Sequence, residues 1–223
     1  TDGLVSDWHL VHYGSRATGG VGLIIAEMTA ISETGRITEG CAGIYNAEQL
    51  NQWKKITDFI HNNTETKIGI QLGHSGRKGA TKKPWEGNGP METPWNLISA
   101  SPISFNDNFA TPKEMTLEDM AEIKAQFVQA AKNADEAGFD MIELQTHHGF
   151  LLASFLSPLT NIRTDEFGGS IENRLKYPLA IFKAIREVFP TEKPISVRIS
   201  ATDWAENGIS EQEVITIATA FKN

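Results

Sequence analysis

Amide and imidazole groups gather at the end of one apolar run. Met141 to Leu144 gives way to Gln145, Thr146, His147 and His148, then to Gly149 and Phe150. A parallel strand ending this way hands polar side chains to the rim of its sheet, the place where α/β barrels do chemistry. Gln145 can donate hydrogen bonds through its amide but can never become cationic. His147 stands one residue out of register with His148, so alternation turns its side chain the other way, into packing.

Other candidates are scattered. Arg198 is a cation inside the run Pro194 to Ser200, and a charge in an apolar strand requires a partner or a ligand. It either faces a ligand or reaches past the strand end to a neighbouring carboxylate. His74 is either a catalytic base or a histidine that fixes the loop after it. His9 and His12 have the i, i+3 spacing two metal ligands would use, but no third ligand is placed by sequence. Arg77 and Lys78 either meet phosphates or form an ordinary solvated pair. Asp165 and Arg174 read as an ion pair pinning their loop. Trp85 and Trp95 either wall a binding mouth or pack their own segment.

These side chains need elements that bring strand ends together. Val21 to Ala26 is continuously apolar after Gly19-Gly20, as in a strand buried on both faces. Leu50, Trp53, Ile56, Phe59 and Ile60 mark one face of a helix from Ala47 to Asn62. Lys67 to Leu72 is a second strand. Thr116 precedes a helix with Glu118 and Asp119 in its first turn, where the macrodipole favours acids; it stops at Gly138. Phe139 to Leu144 is the third strand, and a Gly168-Gly169 turn enters a helix from Ser170 to about Val188. Pro194 to Ile199 is a fourth strand, and Ser210 to Phe221 a final helix.

Four successive βα units imply parallel strands with right-handed crossovers. Either an open doubly wound sheet or part of an eight-stranded barrel would satisfy them. No G-x-G-x-x-G follows the first strand, so a dinucleotide-binding sheet lacks its fingerprint. Polar residues at strand ends (Glu27, Gln71 with His74, Gln145 with His148, Arg198 with Ser200) suit the barrel. The expected fold is α/β, a TIM (β/α)8 barrel represented by about four of its units. It forms one partial domain over 1–223, with 75–112 an insertion at the barrel mouth.

Composition narrows the partners. A net charge of −8 and a pI near 5.3 argue against nucleic acid or an anionic membrane. The longest apolar stretch falls far below the roughly 20 residues of a membrane span. One cysteine, Cys41, excludes an intramolecular disulfide and fits a reducing cytoplasm, the expected location. The chain opens at Thr1-Asp2-Gly3 without an initiator methionine, as a fragment would.

Several motifs in order carry a family resemblance. His12-Tyr13 with Ser15-Arg16-Ala17, Val21 to Glu27, Gly35-Arg36-Ile37, and Gln71 to Lys78 (QLGHSGRK) match its early part. Phe155-Leu-Ser-Pro158, Arg163-Thr-Asp165, Gly168-Gly169-Ser170 and Glu172-Asn173-Arg174 match its most specific block. The sequence resembles the Old Yellow Enzyme family of FMN-dependent NAD(P)H:flavin oxidoreductases, over nearly the whole chain and within its bacterial NADPH-dehydrogenase-like branch. Glu27 to Thr29 and Leu151 to Asn161 look most like the flavin-reductase module of aminobenzoyl-CoA and salicylyl-CoA monooxygenases.

The resemblance implies FMN at the C-terminal mouth of the barrel, reduced by NAD(P)H. Backbone at Met28 would face the flavin edge and Gln71 its pyrimidine side. Arg198 would lie near N1 and C2=O, where a fixed positive charge stabilises reduced flavin. The family's donor pair, His-x-x-His or His-x-x-Asn, binds a carbonyl or nitro oxygen and polarises an alkene for hydride. Here it becomes Gln145 and His148, and the family's proton-donating tyrosine becomes Phe150. Enone reduction should therefore be slower or take its proton from water. The implied substrate is an electrophilic alkene or aromatic acyl compound, with no metal; a homo-oligomer or a fusion to a second oxidoreductase domain is compatible. Against the family pattern the chain lacks the first strand and the last phosphate-binding strands, so it is expected to be the middle of a larger domain that alone binds FMN poorly. The rival readings are a non-catalytic remnant and a metal-dependent barrel hydrolase using His74, His147 or His148.

Overall fold

The computed structural model describes residues 2–222. Its elements are α1 (Asp7–Thr18), β1 (Leu23–Ala30), α2 (Ala47–Asn63), β2 (Lys67–Gly73), β3 (Ile98–Ser99), β4 (Lys113–Glu114), α3 (Leu117–Glu136), β5 (Met141–Thr146), α4 (Leu151–Leu156), α5 (Ile171–Val188), β6 (Ile195–Ile199) and α6 (Glu211–Lys222). Strands β1, β2, β5 and β6 pair in that order, all parallel, while β3 and β4 form a separate short pair. Helices follow each other around the sheet: α1 packs on α2, α2 on α3, α3 on α5, and α5 on α6. A doubly wound sheet reverses its strand order at a switch point. This sheet never reverses, and forms an arc of a barrel.

Side-chain alternation separates the two faces. Ile24, Ala26, Ile68, Ile70, Leu72, Ile142 and Leu144 point into a core with Trp53 and Ile60 of α2, Phe127 and Ala134 of α3, and Ile181 of α5. On the opposite, concave face Leu23 and Ile25 are 47% and 40% exposed. Helix starts are fixed locally. Asn46, Thr116 and Ser170 accept from the backbone N–H of Gln49, Asp119 and Asn173, satisfying donors that an α-helix leaves unpaired.

Two strands sit differently from expectation. β1 begins at Leu23 rather than Val21 and runs on to Ala30. Ala26 pairs with Ile70 and Met28 with Gln71, which leaves Glu27 as a bulge. This acidic residue interrupts the apolar pattern without ending the strand. β5 spans Met141–Thr146 instead of 139–144, so Gln145 and Thr146 are ladder residues, paired with Arg198 and Ile199. Segment 75–112, expected without helix, holds two 3-10 turns at Gly76–Lys78 and Pro84–Glu86 besides β3.

Candidate active site

The site grows from β5, where Glu143 and Gln145 are two residues apart and share the concave face. β2 places Gln71 beside Glu143 in register. Gln71 Nε2 donates to Glu143 Oε1 at 2.6 Å, and Gln145 Nε2 donates to Gln71 Oε1 at 3.1 Å. Gln145 is 2% exposed, and its Oε1 has no hydrogen-bond partner. That oxygen lies over Gly73, where a Cβ would come within 2.3 Å of it. Glycine is needed there for the amide to fit.

Sheet register gathers four of the five sequence-predicted residues. Met28 pairs with Gln71, and Arg198 with Gln145, at the C-terminal ends of neighbouring strands. Arg198 is exposed and makes no ion pair among the described residues, so it does not reach a neighbouring carboxylate. Thr146 Oγ1 donates to the Arg198 carbonyl at 2.7 Å and fixes its backbone.

His148 stands apart from the amides. Its side chain is exposed and its φ is 56°, a left-handed conformation that continues into Gly149 at 71°. The His148 N–H donates to Ser200 Oγ at 2.9 Å, and its carbonyl accepts from Lys78 Nζ at 2.7 Å. His148, Arg198 and Arg77 share a cavity of about 540 Å³ walled by Leu156, Ile209 and Ile217. Gln145, Gln71 and Met28 do not line it. Its acid, Asp203, is committed: Oδ2 accepts from Ser157 Oγ at 2.7 Å and from the Ile209 N–H at 2.9 Å.

Burial keeps His74 and His147 neutral. Burial, reinforced by His148, Arg198 and Lys78, lowers His147 to about 4. Its ring is buried, as expected, and neither ring nitrogen has a partner. His148 is lowered by desolvation and by the Arg198 and Lys78 charges. A neutral imidazole donates through one ring nitrogen only. Full burial pulls His74 down to about 3. His74 Nδ1 accepts from the Gly76 N–H at 3.0 Å and its carbonyl from Leu151 N–H at 3.0 Å, so it fixes its loop.

Several other sequence candidates find structural employment. Asp165 and Arg174 do not pair with each other. Asp165 accepts from Arg163 Nε at 3.0 Å, while Arg174 binds Glu213 and the Leu156 carbonyl. Two arginines flank the loop, and spacing alone does not choose between them. Arg77 donates to the Ser104 carbonyl at 2.9 Å, and the Lys78 ammonium lies 4.6 Å from the Phe105 ring, so neither is simply solvated. Trp95 Nε1 donates to the Thr34 carbonyl at 3.0 Å and packs the insertion, while Trp85 is 80% exposed. His9 caps α1 through Ser6 and approaches Glu27 at 3.5 Å; His12 stacks on Trp8. Among the described residues no three His, Cys, Asp or Glu side chains converge to hold a metal ion, and no helix is long and apolar enough to cross a membrane.

Glu143 and Gly73 are the site residues missed from sequence. The signal for Glu143 was a carboxylate two residues before Gln145 in an otherwise apolar strand.

Comparison with known proteins now fixes the lineage. The family model described as NADH:flavin oxidoreductase / NADH oxidase matches residues 1–223. The chain belongs to this family. It is 42% identical over 221 residues to an NADPH dehydrogenase of Listeria welshimeri, covering 99% of the chain and 61% of that protein. The chain therefore spans about three fifths of that relative's length. A 2-naphthoyl-CoA reductase in complex with 2-naphthoyl-CoA superposes with a TM-score of 0.88 at 28% identity, covering 99% of this chain and 34% of that one. An Old Yellow Enzyme from Pichia gives 0.78 at 31% identity, covering 89% and 52%. The Old Yellow Enzyme family and its TIM-barrel fold, of which this chain forms a part, thus stand as the sequence implied.

Proposed function

We propose that this NADH:flavin oxidoreductase family member takes hydride from NAD(P)H through FMN and passes it to an electron-poor C=C bond conjugated to a carbonyl, with aromatic acyl compounds among its substrates. The observation that carries the reading is the buried amide array Gln145–Gln71 beside the exposed, unpaired cation Arg198, on one face of the sheet. These groups fit a flavin ring. Arg198 is a fixed positive charge without a carboxylate of its own, and Gln71 and Gln145 each keep a second N–H for a carbonyl oxygen. The concave face beside them is apolar and uncovered at Leu23 and Ile25.

FMN would supply the redox chemistry there, accepting and returning hydride. The protein's part is electrostatic. Arg198 favours negative charge developing on a bound ring, Gln145 donates to the substrate oxygen from the amide array and His148 from the neighbouring cavity that Arg198 also lines, and Met28 and Gln71 border the cofactor. Phe150 offers no proton, so water must provide it. Residues 75–112 shape the mouth of the domain through Arg77, Lys78 and Trp95. The 2-naphthoyl-CoA complex of a structural neighbour favours an aromatic acyl acceptor. The single cysteine favours a cytoplasmic location.

Protein expressed from its full reading frame should carry flavin absorbance that NADPH bleaches in the absence of oxygen. Protein without bound flavin would overturn the reading in favour of a non-catalytic remnant; bound zinc would favour a hydrolase.

A further inference from the structure

The hydrogen-bond chain Glu143–Gln71–Gln145 has a direction, and its direction is set at one end. A carboxylate accepts and cannot donate, whereas a glutamine amide offers either atom. Glu143 therefore draws the NH2 of Gln71 toward itself. The Oε1 of Gln71 is then left to face Gln145, which must turn its own NH2 inward. We propose that Glu143 is a positioning residue that fixes the sense of both amides, so that Gln145 meets a ligand as a donor and its oxygen stays turned onto Gly73.

Three observations meet in this assignment. The two contacts are 2.6 Å and 3.1 Å and run in the same sense. Gln145 Oε1 is buried without a partner, as expected if something else dictates its orientation. Gly73 leaves room for that oxygen where any side chain would expel it. The consequence rests on the flavin-enzyme reading: Gln145 stands in for a protonated histidine because Glu143 holds its acceptor away from the substrate. Reversal of the chain would present a carbonyl oxygen to the substrate oxygen, and two acceptors repel.

The test is the side-chain amide spectrum of protein labelled with nitrogen-15 at glutamine, with signals assigned from Gln71→Met and Gln145→Met. The unaltered protein should show one set of signals for each amide, with one downfield, slowly exchanging proton. Glu143→Gln can donate or accept, so it should split or shift the Gln145 signals and abolish the slow exchange. Exchanging the pair (Gln71→Glu with Glu143→Gln) restores an acceptor opposite Gln145 and should restore its single set. FMN affinity, where it is measurable, should fall about tenfold in the single variant and stay low in the exchange, because Gln71→Glu also removes the N–H that Gln71 turns to the cofactor. Gln145 signals unchanged by Glu143→Gln, with the backbone spectrum intact, would overturn the assignment, as would failure of the exchange to recover them. Because the spectrum is read without flavin, loss of the flavin reading would leave this result standing on its own.

Discussion

Lys78 Nζ donates to the carbonyl oxygen of His148 at 2.7 Å, joining the start of the insertion to the loop that follows β5. The same ammonium lies 4.6 Å and 5.0 Å from the rings of Phe105 and Phe150. One flexible cation thus ties three separate segments beside the candidate site.

Lys78→Met keeps most of the apolar stem but removes the donor. Stability should fall by about 1.5–3 kcal/mol, the usual worth of a hydrogen bond to a charged group. Urea unfolding would measure it, and amide exchange should quicken at His148 and Phe105. Unchanged exchange at both would mean that the ammonium does not tie these segments.

Phe150→Tyr with Gln145→His supplies the proton donor and the imidazole that the family uses. Enone reduction by the flavin-loaded protein should rise by about 100-fold, the lower range for a positioned general acid. Phe150→Tyr alone should raise turnover more than affinity, since a proton donor acts in the transition state. Equal rates in all variants, followed by stopped-flow oxidation of the reduced protein, would count against the assigned roles.

Acid should destabilise the fold through its buried histidines. His74 titrates at about 3 against an ordinary 6.5, and His147 at about 4, both lowered chiefly by burial. Below pH 6.5 the unfolded chain takes up protons that the folded chain refuses. Each residue then costs about 1.4 kcal/mol per pH unit until its folded value is reached, and nothing above 6.5. His74→Asn preserves an acceptor for Gly76, so its urea midpoint should fall less steeply between pH 6.5 and 4. Parallel slopes would show that His74 is not buried as a neutral ring.

Gly168→Ala tests the packing of the loop before α5. A Cβ there would lie 2.1 Å from the Arg163 carbonyl oxygen, a backbone atom that cannot swing aside. The loop must shift, at a cost of about 1–3 kcal/mol, seen as a lower thermal midpoint. Gly169→Ala, with open space around its Cβ but φ of 79°, should cost less.

Much of this architecture was legible because local signals and burial agreed. Thr116 and Ser170 announce helices, and Ile68, Ile70 and Leu72 announce a buried strand. The polar strand ends at Gln71, Gln145 and Arg198 identified the rim. What escaped the sequence depended on pairing across space. Arg163 rather than Arg174 takes Asp165, since a chain read in order cannot say which of two nearby guanidiniums folds back. The bond from Gln71 to Glu143 spans 72 positions, and nothing local to either residue names the other. β5 was placed two residues early because Phe139 and Asp140 precede the ladder, while polar Gln145 and Thr146 belong to it.

The bulge at Glu27 gives β1 a kind of reading frame. Before it, even-numbered residues face the helices; after it, Thr29 does, and Met28 turns to the concave side beside Gln71. Removing Glu27 itself would leave the faces of its neighbours in place, because Ala26 and Met28 already occupy consecutive rungs opposite Ile70 and Gln71. An extra residue at a regular position of β1, by contrast, would exchange inside for outside for every side chain beyond it, or the ladder would slip by one rung to prevent it. The bulge therefore takes up one residue of length without disturbing the faces on either side, and a single-residue gap is better tolerated at position 27 than at the regular positions of the strand.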